Sequence, residues 1–424
     1  MNEYSDITKR FLLATKRAEI NALQQLASNC QVVTSVSELI HQLQKERGIS
    51  NIFLSSSNAR FSEQRDKQIE DSLHTEDLLR SQLKAKYLNT DDMLGNMRLL
   101  NVITLALQGM DHICVLRHKI KMQKLTALES TQAYSRLITG LLSVVFEAAD
   151  VAGDPVITKL LVALFNFIQA KECAGQERAW GAVGFAKSTF DPALCERLEQ
   201  LQQAQSKHFN TFIEFASDNE LESWKVLQSD ASTAPLDQMR SMIQQLADGA
   251  AISSEISEVW YELSTKRIDQ MRAIEKHLAS RLLDVAKQRL AEVNDELFEH
   301  KKRLKKVDKL PVSEESALSL FFDAPVEHSS HEAESKLRSV AANRSFYDLL
   351  RDQSEHIKQM SSELDEAKQT IVDQKKIDRA KLLLMQQLSY SEAQSHRALQ
   401  KQAMDQKISL ADMADLVIKT GKGK

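Results

Sequence analysis

Apolar residues recur along most of this chain at spacings of three and four, the period of an amphipathic helix, and no alternating, strand-like run stands out. Val36, Ile40, Leu43, Ser50 and Leu54 mark one such face. From residue 6 to about residue 305 the periodic stretches are interrupted at Asn89–Asp92, Asp150–Pro155, Asp191–Pro192 and Ser229–Pro235. Each break carries the Asp, Asn, Gly or Pro that helix ends require. Roughly eight helices fit, enough for two four-helix bundles sharing long helices. A less regular linker, Lys309–His331, holds Pro311 and Pro325. Beyond it Leu350, Ile357, Leu364 and Ile371 recur at sevens, with Phe346, Gln353, Met360, Ala367 and Gln374 filling the second seam position. That spacing predicts a short coiled coil, weakened by its two seam glutamines. The end of the chain reads as three short helices: Ile377–Met385, Ser391–Met404 and Leu410–Ile418. The fold expected is all-α. Residues 1–305 are expected to form a large helical-bundle domain, 306–376 a linker and coiled coil, and 377–424 a three-helix module.

Composition supports long helices. Eleven Gly and five Pro stand where average usage would give roughly 30 and 20. Charge then sets the last segment apart. Residues 375–424 hold ten Lys/Arg against five Asp/Glu, a net +5 in a chain of net −4, so the preceding 374 residues carry −9. A small basic module on an acidic body points to a polyanion partner.

Other classes lack support in the sequence. Cys30, Cys114, Cys173 and Cys195 are widely spaced, with neither zinc nor disulfide patterning. No phosphate-cradling glycine loop occurs, and the histidines lack metal-ligand spacing, so neither an enzyme nor a cofactor is expected. The N-terminus lacks a basic start followed by an apolar stretch, and Val156–Ile168, interrupted by Lys159 and Asn166, is too short to span a bilayer. A cytoplasmic protein without membrane attachment is expected.

Four arginines stand where apolar residues belong. Arg47 interrupts the stripe of Ile40, Leu43 and Leu54, and Arg178 lies among Leu164, Phe167, Ala174, Gly181 and Phe185. Arg240 shares a face with Leu236 and Ile243, and Arg267 with Trp260, Leu263, Ile274 and Leu278. A guanidinium facing a core needs a counter-charge. Neighbouring carboxylates such as Glu46 and Glu177 are one source, and a shared bound anion is the other.

Two resemblances give these features a context. Glu46-Arg-Gly-Ile-Ser50, followed by Phe53-Leu54, resembles the opening motif of the nitrate- and nitrite-sensing (NIT) domain. Glu172-Cys-Ala-Gly-Gln-Glu-Arg-Ala179, about 125 residues later, resembles that family's central motif. The C-terminal segment resembles the ANTAR domain, an RNA-binding antitermination module. Its A-K-x-x-L-M falls on Ala380–Met385, and its S-x-x-x-A…L-x-x-x-A-M falls on Ser391–Met404. Ser389, Ser395 and His396 depart from the usual Gly, Ala and aromatic residues there.

The first resemblance implies a nitrate- or nitrite-binding pocket at Arg47 and Arg178, with Arg240 a weaker transfer from Pro235–Arg240 and Arg267 resting on its stripe alone. The chemistry suits the ligand, since a planar anion takes the paired N–H donors of a guanidinium. The second implies a hairpin-containing leader RNA as partner. Ala380, Leu383, Leu384, Leu399, Ala403, Leu410, Met413, Ala414 and Val417 are expected to form the small core. Arg379, Lys381, Arg397, Lys401, Gln402 and Lys407 would lie outside it, facing phosphates and base edges. Together they imply a homodimeric regulator of transcription antitermination at nitrate-assimilation genes, acting on RNA polymerase indirectly. A helical anion sensor or scaffold that signals to a protein partner remains the alternative.

Overall fold

The computed structural model describes residues 2–55, 61–88, 97–150, 152–186, 190–230, 233–245, 256–307, 333–388 and 392–421. Among the described residues every regular element is helical. The linker 309–331 and the break at 89–92 lie outside them. In chain order the helices are α1 (Asn2–Ser55), α2 (Ser62–Leu83, continued by a π turn, Lys84–Leu88), α3 (Met97–Asp111), α4 (Ile113–Lys121) and α5 (Ala127–Asp150). Next come α6 (Pro155–Ala186), α7 (Pro192–Phe215), α8 (Asp218–Gln228), α9 (Thr233–Gln245) and α10 (Ile256–Val307). The last three are α11 (Ala333–Leu388), α12 (Glu392–Gln406) and α13 (Leu410–Gly421).

Ten helices therefore precede the linker among the described residues, against the roughly eight expected from periodicity. Two breaks beyond the four named above carry no Gly or Pro. One is at His112, between α3 and α4. The second is at Ala216–Ser217, where Ser217 and Glu220 form a reciprocal capping box that starts α8. The segment Met97–Lys121 is apolar enough and long enough to cross a membrane by composition, a feature that Val156–Ile168 had overshadowed. It is folded as two helices that bury Leu99, Ile103, Ala106, Met110, Ile113 and Ile120.

The chain divides into two compact units. The first comprises residues 1–28, 153–155 and 283–366. It buries Leu12, Ile20, Leu23 and Leu26 of α1, and Ala286 and Val293 of α10. Lys16 in that unit is 3% exposed and pairs with Glu296 at 2.8 Å and Glu19 at 3.0 Å.

The second unit comprises residues 29–152, 156–282 and 367–424. Within it α6, α7, α9 and α10 enclose one core, made by Phe185, Phe190, Leu194, Leu198, Leu236, Met239, Ile243 and Trp260. Gly181 leaves the space that the Trp260 indole fills. The indole Nε1 donates to the Arg178 carbonyl at 3.0 Å. α7 begins at Asp191, whose carboxylate accepts from the Leu194 amide, with Pro192 at the first helical position.

The C-terminal module is a separate small core of Ile377, Ala380, Leu384, Leu399, Ala403, Met413, Ala414 and Ile418, with Leu383, Leu410 and Val417 packed against it. The nine apolar residues expected there are all in it. The first of its helices, however, is not short: Ile377–Met385 is the end of the 56-residue α11. No breaker lies between the heptad and the module, so the helix runs on. Ala403 is 5% exposed. Ala403→Asp should unfold the module by burying an unpaired charge, costing about 3 kcal/mol or more. A loss of helical circular dichroism measures this; an unchanged spectrum and melt would contradict the assigned core.

Two histidines make the second unit acid-sensitive. Burial, with Lys171, Arg272 and Lys45 nearby, lowers the His41 pKa to about 2. Burial, with Lys207 and Lys381 adding to it and Asp378 opposing, lowers that of His208 to about 4. The His208 ring Nδ1 lies 2.9 Å from Asn166 Oδ1. Both folded values lie below the ordinary 6.5, so the unfolded chain takes up protons first as pH falls. Stability is therefore full above about pH 6.5 and drains from there toward pH 4. Thermal melts at pH 7.5 and pH 5 should show a drop in Tm that His208→Gln makes smaller. An equal drop in the variant would contradict this origin.

Candidate anion site and RNA-binding module

The two sequence segments that opened the argument for an anion site meet face to face. Arg47 of α1 lies over Gly175 of α6, with its Nη2 2.5 Å from where a Cβ would stand. Arg178 of α6 lies over Gly48 of α1 in the same way, its Nη2 2.7 Å from that glycine's Cβ position. Each helix thus supplies an arginine and the glycine that makes room for the other's arginine. That reciprocity explains why each segment places Gly close to Arg.

Neither arginine takes its sequence neighbour as partner. Successive residues on a helix point roughly 100° apart, so Glu46 and Glu177 face elsewhere. Glu46 is fully buried and is held by Arg117 of α4, whose Nε and Nη2 donate to it at 2.8 and 2.9 Å. Tyr134 of α5 also donates to Glu46, at 2.6 Å. Burial first, and then the Glu46 charge, raise the Tyr134 phenol well above its ordinary value. Arg117 and Tyr134 had no signal in the sequence, since their partner lies 71 and 88 residues away.

Arg47, 1% exposed, pairs with Glu172 and donates to Ser135 at 2.8 Å. Arg178, 7% exposed, donates from Nη1 to Thr265 at 2.9 Å and lies 4.8 Å over the Tyr261 ring. A guanidinium on a ring face gains cation–π attraction but not neutrality. Arg240 of α9 donates from Nε and Nη2 to Glu177, at 2.8 and 2.7 Å. Burial alone would lower the Arg240 pKa, and the Glu177 charge overrides it, leaving it raised.

Arg267 of α10 differs. It is 6% exposed, its Nη1 reaches Thr233 at 3.4 Å, and its Nε has no hydrogen-bond partner. Burial, and then Arg240, lower its pKa. Arg47 and Arg178 are thus brought together across α1 and α6, while Arg240 and Arg267 face each other's charge between α9 and α10.

Deeper along α1 lies a further charged cluster. Lys171 of α6 and Glu275 of α10 are both fully buried and paired, and Ser37 donates to Glu275 at 2.6 Å. Burial, with Arg272 adding to it, lowers the Lys171 pKa against the pull of Glu275.

The expected RNA-facing residues lie outside the module's core. Arg379, Arg397, Lys401, Gln402 and Lys407 are exposed and Lys381 is half-buried beside Asp378 at 2.8 Å. Lys407 ends α12 in the left-handed region with φ 55°. The Arg397 guanidinium is engaged by Glu196 of α7. The lead-in helix is docked more firmly: Ala367 and Ile371 are buried, and Lys375 pairs with Asp150 at 2.7 Å and Glu147 at 3.1 Å. Its ammonium also lies 5.3 Å from the Phe146 ring centroid. A cavity of about 170 Å³, lined by Phe146, Phe165, Asn166, Ile371, Gln374 and Ile377 among others, marks the seam. Upstream, the heptad residue Ile357 is 49% exposed.

Inward arginines thus lie in a helical bundle, and one long helix leads into a compact basic three-helix module. Residues 38–283 match the nitrate and nitrite sensing (NIT) family, and residues 365–418 match the ANTAR domain. The chain belongs to the NIT family and ends in an ANTAR domain, the architecture of a NasR-like regulator. It is 28% identical over 402 residues to the nitrate regulatory protein of Klebsiella oxytoca, covering 94% of this chain and 91% of that one. The solved structure of the NasR transcription antiterminator is similar over 100% of both chains, with a TM-score of 0.59 and 25% identity.

Proposed function

We propose that this protein is a nitrate- or nitrite-responsive transcription antitermination regulator of the cytoplasm. In this reading Arg47, Arg178, Arg240 and Arg267 bind the anion. Arg379, Lys381, Arg397, Lys401, Gln402 and Lys407 contact a hairpin-containing leader RNA. Binding of that RNA by a homodimer stabilises an antiterminator, so that RNA polymerase reads on into nitrate-assimilation genes.

The observation that carries the reading is the docking of the module's lead-in helix on the sensor helices through Ile371 and Lys375. It gives the anion something to alter. A ligand shifts such an equilibrium only by its differential affinity for the two states. Arg178 and Arg267, without a carboxylate partner among the described residues, supply the positive charge that an anion would neutralise.

The test is RNA binding by the full chain to a two-hairpin RNA, in nitrate and in matched chloride, across a salt series. Tighter binding in nitrate is expected, with Lys381→Ala and Lys401→Ala each weakening it by roughly 1 kcal/mol and lowering the salt slope by about one. No RNA binding at any salt would favour the protein-partner alternative.

A further inference from the structure

The four arginines differ in how they are already neutralised. Arg178 and Arg267 donate to threonine hydroxyls. Arg240 instead spends its N–H fork on a carboxylate of α6, Glu177, and Arg47 gives Nη1 to another, Glu172, while its Nη2 has no hydrogen-bond partner. Both carboxylates are almost fully buried, at 2% and 3% exposed. Each is also backed by neutral amide donors. Gln44 and Gln176 donate to Glu172 at 2.8 and 3.0 Å. Gln202 and Gln205 donate to Glu177 at 3.0 and 2.7 Å.

A carboxylate and a nitrate present the same planar pair of oxygens to a guanidinium, so one fork holds one or the other. Two anions on one buried fork would repel strongly at low dielectric. The amides behind each carboxylate offer it hydrogen bonds that do not depend on the arginine.

We infer that Glu172 and Glu177 are internal competitors for the anion. Nitrate takes over the fork of Arg240 and the Nη1 of Arg47, the carboxylates fall back on their glutamine partners, and the exchange sets the affinity. This rests on the reading of the arginines as the nitrate site. Both glutamates act through the arginines and are positioning residues. A purely structural role predicts the opposite sign, because an arginine that loses its anchor would bind nitrate more weakly.

The experiment is nitrate titration by calorimetry on the full chain, comparing wild type with Glu172→Gln, Glu177→Gln, the double variant and Arg47→Ala. Each single glutamine variant should tighten nitrate binding by about tenfold, an ordinary coupling between two binding events. The double variant should gain close to the product of the two. Thermal melts identify folded variants. Glu172→Asp and Glu177→Asp, which draw the carboxylate back by one methylene, are expected to tighten binding as well and serve where a glutamine variant does not fold. Unchanged or weaker nitrate binding in the folded variants would overturn the competitor role and leave the nitrate site standing. Absence of nitrate binding in wild type and in all variants would overturn both.

Discussion

Arg47→Ala is expected to abolish nitrate binding while the protein stays helical. Arg47 is 1% exposed, and its guanidinium reaches Glu172 and Ser135 with Nη2 laid against Gly175. Removing it takes away a fork for the anion and leaves Glu172 buried without its cation. Breaking a buried pair in this way costs about 3–5 kcal/mol. That is a large share of the roughly 5–15 kcal/mol of a typical domain, so Tm should fall clearly without complete unfolding. Arg47→Lys keeps the charge and loses the planar fork, so it should restore much of the stability and little of the nitrate binding. Calorimetry and thermal melts on the same samples separate the two effects. Wild-type nitrate affinity in Arg47→Ala would remove this residue from the site.

Ile371→Asp is expected to release the module and give RNA binding without nitrate. Ile371 is 3% exposed against the sensor helices, and Lys375, one turn on, pairs with Glu147 and Asp150. A carboxylate at position 371 would be buried among apolar side chains while docked, and solvated when free. The docked state is penalised by several kcal/mol, enough to invert an equilibrium of ordinary size. The module's own core begins at Ile377 and is untouched. RNA affinity in nitrate-free buffer should approach the nitrate-saturated wild-type value. A variant that still requires nitrate would show that docking at this seam is not the restraint. One that binds no RNA at all would show that the seam holds the module in its active form.

Much of this was legible in the sequence, for reasons that differ by residue. The C-terminal core was, because its nine apolar positions follow local helical spacing within about forty residues. The inward placement of Arg47 and Arg178 was, because a charge on an apolar stripe is a local anomaly. Their partners were not. Glu172 stands 125 residues from Arg47, and Arg117 stands 71 from Glu46, and helical periodicity carries no information on which faces meet. The adjacent Glu46 and Glu177 do not pair with Arg47 and Arg178, because of the helical rotation between neighbours, although Glu177 does hold Arg240. The helix break at His112 was hidden because it uses neither Gly nor Pro. The continuity of α11 was hidden for the converse reason, as a motif boundary need not be a helix boundary.

The central claim is that one chain couples anion binding in the bundle to RNA binding in the module. Thermodynamic linkage gives it a direct test, because the factor by which nitrate tightens RNA must equal the factor by which RNA tightens nitrate. The nitrate Kd of the full chain should therefore be measured with and without saturating two-hairpin RNA. The account predicts tighter nitrate binding in the presence of RNA, by the same factor found in the reverse experiment. A nitrate Kd indifferent to RNA would contradict it.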